Sequence, residues 1–103
     1  MDIIQTKNRF SPGRPQIEIG GVLYEIDNRK STLDKMQKEI TKPENAGKED
    51  EVALRMFLGK DGMKAILDMD LSVTDYQTVV ILVQSTVMGI SEEEMRKRFL
   101  AGL

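Results

Sequence analysis

The Gly20-Gly21 pair is the strongest constraint in this chain, because Ile17, Ile19, Val22, Tyr24 and Ile26 alternate across it. Two glycines supply the positive φ angles of a type I′ turn without steric cost. A two-residue loop pairs Ile19 with Val22 and Ile17 with Tyr24. In that register all five apolar side chains share one face, and Glu18, Leu23 and Glu25 share the other. Side chains along a strand alternate with period two, so a loop one residue longer would destroy this agreement. An isolated hairpin is marginal in water, so the apolar face of residues 16–27 must lie on helices or on another chain.

Beyond residue 28 the period becomes helical. Leu33, Met36 and Ile40 follow i, i+3, i+7 spacing, with Ser31 or Thr32 able to cap, and Pro43 ends the segment; this predicts a helix over about 31–41. Residues 43–47 form a polar loop. A second helix is predicted over about 48–58, stopped by Gly59, and a third over about 61–68, capped by Asp61. Ser72 with Asp75 opens the longest helix, about 72–89. The β-branched run at 79–83 is also compatible with a buried strand, but the segment's length, its cap and the lack of a breaker before Gly89 favour helix. Ser91 with Glu94 is a capping box for a last helix over about 91–101, and its acidic start and basic end suit the helix dipole. The reading is an α+β domain, mainly α, with an N-terminal β-hairpin packed on a bundle of about four to five helices.

Residues 1–15 read as a flexible arm ahead of a single globular domain at 16–103. Pro12, Gly13 and Pro15 interrupt regular structure there. Lys7, Arg9 and Arg14 against Asp2 make the arm +2, so the remainder carries −4 of the net −2. Such an arm suits either a solvated tail or a basic contact with a partner, and Phe10 is its one large side chain able to dock on the body.

Composition excludes whole classes of chemistry. With no Cys and no His, disulfides, Cys or His nucleophiles and zinc sites built on those residues are ruled out. A sequence pI near 5.2 gives no general attraction to nucleic acid. The longest apolar stretch, 79–83, is far too short to span a bilayer, and residues 1–5 do not resemble a signal peptide. The expectation is a cytoplasmic protein.

The constellations that could carry chemistry are weak. Asp68 and Asp70 flank Met69 in a helix connection, without the ligand spacing of a calcium loop. Gly59-Lys60-Asp61-Gly62 lacks the Walker pattern, and Asp61 would repel phosphate. Arg96, Lys97 and Arg98 could touch phosphates, but Glu92, Glu93 and Glu94 balance them. No catalytic, cofactor or metal set is expected, and the chain reads as a non-enzyme.

The informative excess is apolar. Residues 72–88 carry Val73, Tyr76, Val80, Val83 and Val87 on one face, and Val79, Ile81, Leu82 and Met88 on much of the rest. A helix apolar all round must be covered all round, by its own domain or by another chain. The candidate contact residues for self-association or a partner are Leu23, Val79, Ile81, Leu82 and Met88. The methionines Met36, Met56, Met63, Met69, Met88 and Met95 suit core filling, or an adaptable binding surface.

The order of these elements matches a known pattern. A hairpin reading Ile-Glu-Ile-Gly-Gly-Val-Leu-Tyr-Glu-Ile is followed by Phe57-Leu58-Gly59, Ile66-Leu67-Asp68, then Asp70-Leu71-Ser72-Val73-Thr74-Asp75-Tyr76, a long helix, and Gly89-Ile90-Ser91-Glu92-Glu93-Glu94. This resembles, over about residues 16–99, the small tail assembly chaperones of long-tailed bacteriophages of Gram-positive hosts. The resemblance implies a non-enzymatic assembly factor in the cytoplasm of the infected bacterium. Such proteins coat the tape measure protein while the tail tube polymerises around it, and they are absent from the finished virion. They often self-associate, and many also occur in a longer, frameshifted form. The family brings no catalytic residues and no cofactor. Two other classes stay open at this point. One is a small phage or prophage regulatory or DNA-associated protein with a basic surface from Lys7, Arg9, Arg14, Arg96, Lys97 and Arg98. The other is a structural tail or connector component.

Overall fold

Strands β1 (Gln16–Ile19) and β2 (Val22–Glu25) pair antiparallel in the computed structural model, which describes Ile3 and residues 13–101. Their register is Ile19 with Val22, Glu18 with Leu23, Ile17 with Tyr24 and Gln16 with Glu25, as the two-residue loop requires. Gly20 and Gly21 take φ of 59° and 84°, the sign pattern of a type I′ turn. The Glu18 carboxylate accepts a hydrogen bond from the Gly21 N–H at 2.6 Å and tightens the turn. The ladder runs past the predicted boundary: the Ile26 N–H donates to the Pro15 carbonyl at 2.8 Å, so Pro15 belongs to the hairpin rather than to the arm. Residues 1, 2 and 4–12 of the arm, Phe10 among them, lie outside the described residues.

Among the described residues four α-helices follow, α1 (Lys30–Ile40), α2 (Glu49–Asp68), α3 (Val73–Met88) and α4 (Glu92–Ala101), with a 3-10 turn at Pro43–Asn45 inside the polar loop. The fold is α+β and mainly α, with the hairpin packed against α2. Helix α2 also packs against α1 and α3, and α3 against α4. The core holds Ile19 and Ile26 from the hairpin, Met36 from α1, Leu54, Phe57, Met63 and Ile66 from α2, and Val80 and Val83 from α3.

The segment open to either strand or helix is helix α3. The Ser72 hydroxyl accepts from the Asp75 N–H at 3.1 Å, and Gly89 closes the helix as a left-handed cap. The Ser91 hydroxyl likewise accepts from the Glu94 N–H at 3.1 Å at the start of α4.

The start of α1 differs from expectation. Neither Ser31 nor Thr32 caps it: the helix begins at Lys30, and Thr32 is buried within its first turn. The work of entry falls to Asp27. Its carboxylate accepts from the Arg29 Nε at 2.9 Å, the Arg29 Nη2 at 2.8 Å and the Thr32 hydroxyl at 2.8 Å. The Arg29 guanidinium beside it holds the Asp27 carboxyl well below the usual carboxylate range, against an opposing effect of burial. A lowered folded value means that Asp27 stabilises the fold fully above the unfolded carboxyl value, about 3.9, and less as pH falls toward the folded one. Asp27→Ala is therefore expected to cost about 1–2 kcal/mol near pH 7 and less near pH 2, where part of the carboxylate's contribution is already lost. Urea unfolding of both proteins at the two pH values measures this. A loss that is the same at both would show that the carboxylate charge contributes nothing.

Helix α2 unites the two predicted helices across a kink at Gly59, whose φ of 76° and ψ of 176° are non-helical. That region of backbone space is open essentially to glycine alone. A Cβ there would meet no neighbour within 4 Å, so the barrier to any other residue is the backbone itself, about 1–3 kcal/mol. Lys60 resumes the helix, so Asp61 sits in its first turn instead of capping it. The kink has a structural use. In an unbroken helix the Phe57 carbonyl would accept from residue 61. Here it accepts from the Asp27 N–H at 2.8 Å, which ties the exit of the hairpin to the middle of α2.

Candidate functional site

Between β1 and α3 runs an apolar groove of about 420 Å³. Strand β1 supplies Ile17 and Ile19, and α3 supplies Val79 and Leu82. Ile66 near the end of α2, with Met69 and Leu71 of the following turn, completes the floor. Its charged lining residues, Glu18 and Asp75, are both acidic. One wall is an open strand edge. The Ile19–Val22 and Ile17–Tyr24 pairs exchange the ladder's hydrogen bonds, as residues closing a two-residue turn and its second neighbours do. The N–H and C=O groups of Gln16 and Glu18 therefore point away from β2, toward the side where the sheet has no third strand among the described residues.

The five candidate contact residues separate into four places. Val79 and Leu82 are half-buried and meet in the groove. Leu23 is 61% exposed on the outer hairpin face, at a separate depression lined also by Arg14, Glu25 and the Gly59 kink. Met88 is exposed at the end of α3, over a cleft of about 180 Å³ shared with Met36, Phe57 and Met95. Ile81 is a correction: at 2% exposure it cannot present a contact surface. Helix α3 has neighbours in both α2 and α4, so more than one of its faces is covered. Val80 and Val83 are buried together with Ile81 and Ser85, and the Ser85 hydroxyl is satisfied by the Leu82 carbonyl at 2.9 Å.

Sequence reasoning missed the turn between α2 and α3. Leu67, Met69 and Val73 are all exposed there, Val73 at 76%. The signal was present: apolar residues recur at 67, 69, 71 and 73 through a connection that is otherwise polar. The methionines divide. Met36, Met63 and Met95 are buried, while Met69 and Met88 are exposed.

The charged constellations resolve into local pairs. Lys97 pairs with Glu93 at 3.8 Å, and Arg98 with Glu94 at 3.5 Å. Asp68 pairs with Lys64 at 2.6 Å. Lys7 and Arg9, needed for an assembled basic surface, lie outside the described residues. The Tyr76 phenol is pushed up by burial, then by the nearby Glu51 and Asp50 carboxylates. Among the described residues no group of three or more metal-ligating side chains converges, and no helix is long and apolar enough to cross a membrane. The arrangement offers an apolar trough and a backbone edge, which are means of binding a chain. Compared with protein-family models, curated proteins and solved structures, the chain shows no significant match.

Proposed function

We propose that this chain is a non-enzymatic tail assembly chaperone. It self-associates and shields a tape measure protein in the host bacterial cytoplasm while the tail tube protein assembles around it. The observation that carries this reading is the groove between β1 and α3, continuous in sequence with exposed Met69 and Val73 of the adjoining turn. An elongated, partly apolar client needs such a surface on a soluble carrier, and a chemical step needs something else. The resemblance carried by the hairpin, by residues 70–76 and by residues 89–94 points the same way.

The test is light scattering behind size exclusion over a wide concentration range, with and without a co-expressed tape measure protein. Mass is expected to grow with concentration past a dimer, and the client is expected to co-elute. A monomer at every concentration that leaves the client in the insoluble fraction would sink the chaperone reading.

A further inference from the structure

Among the described residues the outer edge of β1 lacks a strand partner, and the groove beside it is apolar with two acidic residues, Glu18 and Asp75. The chain itself contains a segment of matching chemistry. Residues 4–12 read Ile-Gln-Thr-Lys-Asn-Arg-Phe-Ser-Pro. Written as a strand, Ile4, Thr6, Asn8 and Phe10 share one face, and Lys7 and Arg9 share the other. On β1 the inner face carries Ile17 and Ile19, and the outer face carries Glu18. A strand added at that edge would lay Ile4 and Phe10 on the groove side and bring Lys7 and Arg9 to the side of Glu18.

Two observations assign this edge to the segment of a second copy. Ile3 is 80% exposed, so it is not packed on its own domain. Arg14 lines the depression beside Glu25, Asp27 and Gly59, which shares no residue with the groove, so the chain enters the hairpin from the opposite flank.

We propose that residues 4–12 of one copy add as a strand to the free edge of β1 in the next copy. Such a contact presupposes the self-association proposed above. Nine extended residues reach about 30 Å, against roughly 13 Å for the length of β1. Backbone hydrogen bonds give affinity, and the alternating side chains set register and direction. Each copy offers one segment and one edge, so the contact is head-to-tail and can repeat from copy to copy.

The test is charge exchange in the full chain. Lys7→Glu/Arg9→Glu places an acidic segment against an acidic edge, and Glu18→Lys places a basic segment against a basic edge. Each variant alone is expected to scatter as a monomer at concentrations where the unmodified chain has grown. An equimolar mixture restores both contacts and is expected to regain the assembled mass. Far-UV circular dichroism checks that both variants stay folded. A labelled peptide of residues 3–12 supplies a second readout, with binding to the full chain expected to weaken at least about tenfold in Glu18→Lys. Variants that assemble like the parent, or a mixture that stays monomeric, overturn strand addition and leave self-association standing. A parent chain that never grows overturns both.

Discussion

Replacing Phe57 by Ala is expected to remove about 3–5 kcal/mol of stability, the range for emptying a large aromatic site in a packed core. Phe57 is 1% exposed and shares the core with residues from the hairpin, α1 and α3. A domain of this size holds roughly 5–15 kcal/mol in all, so the loss is a large share of it. The thermal midpoint is expected to fall by about 15 °C or more. The Phe57 carbonyl still accepts from Asp27 in the variant, because that bond is made by backbone atoms. The deficit therefore measures side-chain packing alone. Urea unfolding followed by circular dichroism tests it, and a loss under about 1 kcal/mol would mean that the hairpin and helices do not meet at this residue.

Ile81→Asp and Leu82→Asp are expected to behave differently although the residues are adjacent. Ile81 is 2% exposed, so a carboxylate there must be buried unpaired or protonated, at a cost of several kcal/mol. The variant is expected to be largely unfolded at neutral pH, with partial recovery in mild acid as the new carboxyl takes up a proton. Its folded pKa is raised by burial, so stability increases as pH falls below that value toward the unfolded carboxyl value, about 3.9. Leu82 is half-buried and opens on the groove, where a carboxylate keeps access to water. Leu82→Asp is expected to stay folded and to lose self-association. Circular dichroism with light scattering on both proteins separates the cases. A folded Ile81→Asp variant at pH 7 would contradict the packing of α3 between α2 and α4.

Much of the fold was legible because it is set by near neighbours. Gly20-Gly21 determined the hairpin register, since loop length controls parity and parity controls which side chains share a face. Ser72, Ser91 and Gly89 marked helix ends through bonds that span a single turn. Gly59 marked a break, and the structure keeps the break while counting both halves as α2. Thr32 misled, because its hydroxyl serves Asp27 five residues earlier instead of a helix N-terminus.

The candidate site was less legible, because it depends on which elements meet. The sequence by itself determined that 73–88 is more apolar than one helix face requires. Only the tertiary structure decided how that excess is used. Ile81 is buried, while Val79 and Leu82 open on a groove beside β1. Burial is a property of elements distant in the chain, and period-three-or-four spacing names a face without naming its neighbour. The same holds for the bond from Asp27 to the Phe57 carbonyl, which needs both a local kink and a hairpin delivered to it from thirty residues away. Local chemistry sets turns, caps and register at short range; the site exists only where the hairpin and α3 come to rest against α2.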